Sequence, residues 1–386
     1  MSRTAPHRPR PCFASCDGGA ERHLAAELEA LGLASVHPAH RGVHFEADRV
    51  GLWRVNLHSR LANRVLMPIA EFPAASKEAL YGGVRRVSWE QWFDLHRTFA
   101  VEAQGTQGRL THTGHSALVV KDAIADRMRE LRGRRPNVDR RRPEVVIHVR
   151  LSEGRAVLSL DASGARLHRR GYRREAGEAP LKETLAAGLI ARSGWQPGQP
   201  FMDPMCGSGT LVIEAALQAA GRAPGLVRLG LGERFACQHW ADHDGAAFEA
   251  TVAEVRGAAK ITPTLIVGSD VDPRMVAMAR RNAERAGVAD LIRFEVRDLV
   301  DTEAPAPGPG VLVSNPPYGE RLGEVEALRT LYDKLGSVLK HRFSGWTAWI
   351  LAGEKAPLKA IGLKPETREP LRNGPIRCEL ASYSLW

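Results

Sequence analysis

The chain has 386 residues, 44% hydrophobic and 25% charged, which is the size and composition of a globular protein with two or three domains. No apolar run approaches the roughly 18 residues of a membrane-spanning helix, and the basic residues 1–10 are not followed by the apolar stretch of a secretory signal. We therefore expect a cytoplasmic protein with no membrane partner. The net charge of +10 favours a polyanionic partner.

Cysteines and histidines give no sign of a metal site. The five cysteines stand apart in the sequence, and none forms the CxxC pair typical of zinc sites. His112 and His115 are close to each other, but no cysteine or acidic cluster joins them. We expect reduced thiols and no bound metal.

The first predicted domain, residues 1–67, has the pattern of a small α+β unit. Residues 12–16 and the alternating residues 42–46 predict strands. An amphipathic helix is predicted over residues 21–31, where Gly32 stops it, and a second helix over residues 49–64.

The second predicted domain, residues 68–170, carries an arginine-rich loop. Strands are predicted at residues 98–102, 144–150 and 155–160, and a helix at 116–131. Between Arg127 and Arg142 lie eight arginines and two acids. Because guanidinium groups pair bidentately with phosphate oxygens, this segment favours RNA contact, although a solvated surface would have the same composition. The candidate RNA-binding residues are Arg134, Arg135, Arg140, Arg141 and Arg142.

The third predicted domain, residues 171–386, alternates strands with helices, as a doubly wound parallel sheet does. Asp272 is placed to cap a helix that starts at Pro273 and ends at Gly287. Residues 221–263 exceed what a βαβ unit needs and predict an insertion or an extra helix, while residues 377–386 predict an edge strand. Further strands are predicted near 200–202, 264–267, 292–296, 310–314 and 347–352.

A glycine turn follows the first strand of this domain. It contains only Gly207 and Gly209, whereas a dinucleotide site favours the spacing GxGxxG. The acid at its head, Asp203, would repel a pyrophosphate but suits a ligand with an ammonium or sulfonium centre. The turn therefore favours S-adenosylmethionine over NAD. Its candidate cofactor-binding residues are Asp203, Pro204, Met205, Cys206, Gly207, Ser208 and Gly209.

Acids also follow the next two strands. Asp270, with Val271 beside it, lies at the tip of the second strand, where a carboxylate can accept hydrogen bonds from two ribose hydroxyls. Asp298 follows the third strand and could reach an adenine amino group, or it could be an ordinary exposed loop acid.

The fourth strand leads into Asn315, Pro316, Pro317 and Tyr318. The prolines fix the backbone where it leaves the sheet. The Asn315 side-chain oxygen and the Pro316 carbonyl could accept both N–H bonds of an amine on a planar base, and Tyr318 could stack on the ring. This segment is the candidate catalytic site, and Asn315 also borders the cofactor.

Residues 203–210 and 314–323 together resemble motifs of the THUMP-containing RNA guanine-N2 methyltransferases, in particular the bacterial large-subunit ribosomal RNA enzymes. Residues 169–173 and 179–186, and residues 56–60 followed by 64–66, are similar to that family as well. The resemblance implies a Rossmann-like class I methyltransferase domain preceded by ferredoxin-like and THUMP domains. One departure is expected: some relatives carry a second, fused methyltransferase domain, and this sequence is too short to contain one. The resemblance assigns the methyl donor to Asp203, Gly207, Gly209, Asp270 and Asp298 and the base pocket to residues 315–318.

We therefore expect methylation of a guanine N2 amine in 23S ribosomal RNA. A transfer-RNA enzyme of the same architecture is the nearest alternative. A protein-glutamine methyltransferase and an inactive RNA-binding assembly factor are further alternatives, since a glutamine amide also fits such a pocket.

Overall fold

The computed structural model describes residues 8–108, 110–173, 181–318 and 325–386. By their contacts the residues of the chain group into two units. The first consists of Met1–Cys16, Leu24–Leu167 and Glu233–Glu254, and the second of Asp17–His23, His168–Gly232 and Val255–Trp386.

The elements up to residue 161 surround one mixed sheet. The strands are β1 (Arg10–Ser15), β2 (Ala34–Ala39), β3 (Gly42–Ala47), β4 (Arg64–Pro73), β5 (Phe99–Gln104), β6 (Val145–Ser152) and β7 (Arg155–Asp161). The α-helices are α1 (Glu21–Ala30), α2 (Arg49–His58), α3 (Lys77–Arg85) and α4 (Thr113–Arg132). The strand order is β2-β3-β1-β4-β7-β6-β5.

Strand β4 joins the two halves of this sheet, because it pairs with β1 on one side and with β7 on the other. The sequence missed β4 and wrongly extended the preceding helix to residue 64. The helix ends at His58 because the Glu27 carboxylate accepts hydrogen bonds from the Ser59 hydroxyl and from the backbone amides of Arg60 and Leu61. The predicted domain boundary at residue 67 lies inside β4 and stays a prediction.

After residue 168, helices and strands alternate. The α-helices are α5 (Glu183–Arg192), α6 (Thr210–Ala219), α7 (Pro224–Gly230), α8 (Gly245–Gly257), α9 (Pro273–Ala286) and α10 (Val325–Arg342). The strands are β8 (Phe201–Asp203), β9 (Ile266–Asp270), β10 (Ile292–Val296), β11 (Gly310–Ser314), β12 (Trp346–Gly353), β13 (Thr367–Asn373) and β14 (Ile376–Ser384). The order of the second sheet is β10-β9-β8-β11-β12-β14-β13.

Strands β8 to β12 are parallel, which confirms the predicted doubly wound sheet. Both faces of this sheet are covered. Val311 and Val313 of β11 belong to the core that includes α5, α6 and α9, whereas Leu312 belongs to the core under α10. Such burial on both faces is why β11 reads as an unbroken apolar run.

The last strand is not at the edge of the sheet as the sequence suggested. β14 pairs with β12 and also with β13, so that β13 forms the edge. β13 has the sequence Thr-Arg-Glu-Pro-Leu-Arg-Asn, and its charges and proline are typical of an edge strand. Because of these charges and the proline, β13 lacks the alternating apolar residues by which a strand is predicted from sequence.

The segment between β8 and β9 contains the helices α7 and α8, which confirms an insertion with extra helical structure. Its residues Glu233–Glu254 belong to the first unit. There the Phe248 ring of α8 packs edge-on against Trp53 of α2, with ring centroids 5.4 Å apart. Arg49 Nη2 also donates to Asp242 Oδ2 at 2.7 Å.

We expect Phe248→Ala to lower the free energy of unfolding of the first unit by about 3–5 kcal/mol, because it removes a fully buried ring. Urea denaturation measures this change. Glu249→Ala is the matched control on the same helix, since its side chain is exposed, and it should change stability by less than about 0.5 kcal/mol. Equal effects of the two substitutions would contradict the described packing.

Candidate active site

The candidate site lies at the carboxyl ends of β8 and β11. These strands are neighbours in the sheet, yet the chain runs from β8 outward through β9 and β10 and then returns to β11 on the other side. Such a switch in direction leaves a crevice at the strand ends, which is where open α/β sheets bind ligands.

Asp203 ends β8, and its carboxyl group is buried, with only 2% of the residue exposed. Its Oδ1 accepts hydrogen bonds from the Ser314 hydroxyl at 2.8 Å and from the Met205 amide at 3.1 Å. Burial raises the pKa of Asp203 to about 7, and the nearby Asp270 carboxylate acts in the same direction. A buried carboxyl group of this kind gains most from a cationic ligand, since the ligand's charge compensates the lost hydration.

The turn after Asp203 exposes backbone in a conformation that favours glycine. Gly207 has φ of +52° and Gly209 has φ of +85°. A Cβ atom on Gly209 would also lie only 2.9 Å from the Ala279 Cβ of α9, so glycine is required there for packing as well.

The other turn residues hold the loop together. The Cys206 amide donates to the Ser269 carbonyl at 2.8 Å, and the Ser208 carbonyl accepts from Asn282 Nδ2 at 3.0 Å. Burial raises the pKa of the Cys206 thiol well above its usual range, which makes it a packing group. Pro204 is buried, and its carbonyl accepts from the Ser269 hydroxyl at 3.4 Å.

Asp270 lies directly beside this turn. Its Oδ2 accepts from the Gly207 amide at 3.0 Å and its Oδ1 from the Asp272 amide at 3.0 Å. The structure thus brings Asp203, the glycine turn and Asp270 together. Val271 is 65% exposed. Asp298, at the end of the next strand, is exposed and caps a short helical turn by accepting from the Val300 amide.

Asn315 is the first residue after β11. Its Oδ1 is buried and accepts no hydrogen bond from any described residue. A buried amide oxygen without a donor is costly, so this atom suits a ligand N–H group. Pro316 is buried beside it and Pro317 is exposed. Residues 319–324, the rest of the predicted motif, lie outside the described residues.

Tyr318 is held by two residues that the sequence gave no reason to select. Its hydroxyl accepts a hydrogen bond from Asn373 Nδ2 at 2.9 Å, and its ring lies against Gly353 at the end of β12. Asn373 belongs to the edge strand β13, which the sequence also missed.

The segment before α5 binds the start of α6 through a buried polar cluster. Tyr172 donates its hydroxyl to Glu214 Oε1 at 3.1 Å, and Arg173 Nη2 donates to Glu183 Oε2 at 3.2 Å. Arg173 Nη1 also donates to Thr210 Oγ1, in the first turn of α6. Tyr172 and Arg173, which belong to the motif at residues 169–173, thus have a structural role in holding this segment to α6. Residues 174–180 lie outside the described part of the chain.

Within the arginine-rich segment, residues 133–142 lie on the loop between α4 and β6, whereas Arg127, Arg129 and Arg132 belong to α4. Arg134, Arg140, Arg141 and Arg142 are exposed, and Arg135 Nη2 donates to Asp126 Oδ1 at 2.7 Å. Asp139 Oδ1 accepts hydrogen bonds from the backbone amides of Arg141 and Arg142, and these bonds form a turn in the loop. Val138 forms an isolated β-bridge with Phe99 of β5. The contact of these arginines with RNA stays a prediction.

Within the described ranges, no group of three or more histidine, cysteine, aspartate or glutamate side chains could hold a metal ion. Among the helices described here, none is long and apolar enough to cross a membrane.

Family models match the chain in three places. A RlmL ferredoxin-like domain matches residues 11–66, a THUMP domain matches residues 74–161, and an RMKL-like methyltransferase domain matches residues 170–382, which is more than half of the chain. The chain belongs to the RMKL-like methyltransferase family. This membership confirms the class I methyltransferase fold preceded by ferredoxin-like and THUMP domains.

Two relatives align with nearly all of this RMKL-like methyltransferase. A Synechocystis protein with the provisional name of an RNA methyltransferase is 40% identical, with 98% of this chain and 97% of the relative aligned. The ribosomal RNA large subunit methyltransferase K/L of Photobacterium profundum is 42% identical over 95% of this chain, which spans 52% of that relative's length. Among solved structures, the methyltransferase-like protein SMU.472, crystallised with SAH, has a TM-score of 0.87 and 31% identity, with 98% of this chain and 99% of that one covered.

The raised pKa of Asp203 predicts a stability change with pH. Its folded-state pKa of about 7 exceeds the ordinary value of 3.8, so the stabilisation from the protonated form is present at low pH and is lost as pH rises through about 7. Between about pH 4 and pH 7, we expect the free energy of unfolding to fall less steeply for Asp203→Asn than for the unaltered chain, by up to roughly 1.4 kcal/mol per pH unit.

Urea denaturation at several pH values measures this difference. Burial also raises the pKa of Glu183 to about 7, so part of the pH dependence should persist in Asp203→Asn and become smaller when Glu183→Gln is added. Parallel pH curves for the unaltered chain and Asp203→Asn would show that Asp203 does not ionise in this range.

Proposed function

We propose that this RMKL-like methyltransferase transfers a methyl group from S-adenosylmethionine to the N2 amine of a guanine in 23S ribosomal RNA. The observation that carries the proposal is the buried Asn315 Oδ1, which has no donor among the described residues and follows β11, the strand that neighbours the one ending at Asp203. A methyl donor bound at the end of β8 and an amine bound at the end of β11 would therefore lie next to each other.

S-adenosylmethionine is the methyl donor, and the residues present suit it. It supplies a methyl group on a cationic sulfonium. The buried Asp203 carboxyl group is suited to a cationic neighbour, and Asp270 keeps acceptor capacity on both oxygens after its two backbone contacts. The glycine turn brings backbone close to that position.

The acceptor side explains how a weak nucleophile can react. The lone pair of a base amine is conjugated with the ring, which makes the nitrogen a poor nucleophile. Hydrogen bonds from both N–H groups, to Asn315 Oδ1 and to the Pro316 carbonyl, would favour a more pyramidal nitrogen. The rest of the acceleration would come from alignment and exclusion of water, without a strong general base.

The choice of ribosomal RNA rests on two findings. The chain contains a THUMP domain, and it aligns with a relative named as a ribosomal RNA large subunit methyltransferase. The chain spans about half the length of that relative, so the relative's substrate is proposed here for this chain. The exposed arginines between α4 and β6 would contact the RNA phosphates, and such a reaction would take place in the cytoplasm.

Transfer of a labelled methyl group to unmodified 23S ribosomal RNA and to bulk transfer RNA, offered separately, tests the substrate. Label in 23S ribosomal RNA alone supports the proposal. Label in transfer RNA alone would replace the substrate and keep the chemistry. Label in neither RNA, followed by label in a glutamine-bearing protein offered separately, would overturn the assignment to RNA.

Asn315→Ala should lower kcat for methyl transfer by roughly 100- to 1,000-fold, because it removes an acceptor aimed at the reacting amine. Binding of RNA, measured by filter retention, and binding of S-adenosylmethionine, measured by calorimetry, should each change by less than about threefold. Unchanged turnover would exclude the assigned role of Asn315. RNA binding without any methyl transfer by the unaltered chain would favour a protein that only binds RNA.

Replacing Arg140, Arg141 and Arg142 by alanine should weaken RNA binding and flatten its dependence on salt. Each lost phosphate contact lowers the slope of log K against log salt by roughly 0.7–0.9. Arg342→Ala is the control, since Arg342 ends α10 just before the amino end of β12, on the side of the sheet opposite the strand ends that form the site. Equal slopes for the triple variant and the unaltered chain would remove this loop from the RNA interface.

A further inference from the structure

Tyr318 forms a fixed wall at the edge of the candidate base pocket. Asn373 is only 7% exposed, and its Nδ2 donates to the Tyr318 hydroxyl at 2.9 Å. On the other side, a Cβ atom added to Gly353 would lie 2.7 Å from Tyr318 Cδ2. The ring is therefore positioned by a hydrogen bond at its tip and by a residue whose lack of a side chain leaves room for it.

A cavity of about 500 Å³ lies against this wall. Besides Tyr318 it is lined by residues 353–355 and 375–377. It shares Gly353, Glu354 and Arg377 with a second cavity of about 690 Å³ that extends along residues 356–360 to Arg329 and Arg368. Each volume falls within the range of ordinary ligand pockets, and the shared lining gives the two cavities a continuous path.

The path is positively charged. Five cationic side chains line the two cavities, against the carboxylates of Glu354 and Glu379: Arg329, Lys355, Lys359, Arg368 and Arg377. Lys355 is exposed and forms no ion pair with a residue in the described ranges. Arg377 lies 4.0 Å from Glu354, but their side chains are 72% and 67% exposed, so this pair is weak and Arg377 can turn to a ligand.

We propose that this basic path, beside Tyr318, binds the RNA backbone next to the methylated nucleotide, with Lys355 and Arg377 contacting phosphates and Asn373 positioning Tyr318. This proposal rests on the proposed function, and it assigns the basic path to the RNA nucleotides on either side of the methylated one. The cationic excess favours a nucleic-acid strand over a protein segment, and the nearness of the path to Tyr318 would place the phosphates beside the extruded base.

The double variant Lys355→Ala, Arg377→Ala tests the phosphate contacts. Methyl transfer to a 23S ribosomal RNA fragment should show a KM for RNA raised by roughly tenfold or more, and a salt slope reduced by about 1.5, since two phosphate contacts are lost. The KM for S-adenosylmethionine and kcat at saturating RNA should stay within about threefold. Arg342→Ala should change none of these values.

Asn373→Ala and Tyr318→Phe test the positioning role, because each removes one partner of the same hydrogen bond. Each should lower kcat by roughly five- to tenfold and leave the KM for RNA and the salt slope unchanged. The double variant should be no slower than Tyr318→Phe alone, since that change already breaks the hydrogen bond to Asn373. Multiplying losses would contradict the role of Asn373.

The outcomes separate the two proposals. If the unaltered chain methylates 23S ribosomal RNA but the Lys355/Arg377 variant keeps its KM for RNA and its salt slope, the basic path is wrong and the proposed function stands. If the unaltered chain methylates neither RNA, or methylates a glutamine-bearing protein instead, both are overturned.

Discussion

The buried hydrogen bond between Ser314 and Asp203 connects the two strand ends on which the site depends. β8 is only three residues long, and its register with β11 comprises Val311 with Phe201 and Leu312 with Met202. The hydrogen bond from the Ser314 hydroxyl to Asp203 Oδ1, at 2.8 Å, extends this short pairing of β8 with β11 to the carboxyl ends of both strands. It thereby fixes the donor side, which begins at Asp203, relative to the acceptor side, which begins at Asn315.

This connection requires a carboxyl group in a buried position, and burial explains the chemistry that follows. Asp203 has a pKa raised to about 7 because it is cut off from water, so its ionised form is favoured when a cation lies beside it. The neighbouring Asp270 is tied to the glycine turn by the Gly207 amide. Two acids and a glycine turn thus form one preorganised cluster, which suits a donor whose reacting centre carries a positive charge.

Much of the second unit could be predicted because its signals are local. The helix from Pro273 to Ala286 is capped by Asp272 and closed by Gly287, as the sequence indicated. The strands and the glycine turn were placed within a few residues for the same reason, since apolar runs and glycines act over short distances.

The features that the sequence missed depend on distant partners. Strand β4 forms its hydrogen bonds with β1 and β7. Helix α2 ends earlier than predicted because the carboxylate of Glu27, which is distant in the sequence, accepts hydrogen bonds from the residues that follow the helix. The packing of Phe248 on Trp53 and the contact of Asn373 with Tyr318 likewise join residues with no sequence relation. No periodicity or spacing encodes such contacts.

In the proposed reaction, Asn315 and Pro316 hold the exocyclic amine of a guanine. The most direct test is to digest RNA methylated by the unaltered chain and to identify the labelled nucleoside by chromatography and mass spectrometry. We expect N2-methylguanosine. A methyl group on a ring nitrogen, on a ribose hydroxyl or on the amine of adenine would contradict it.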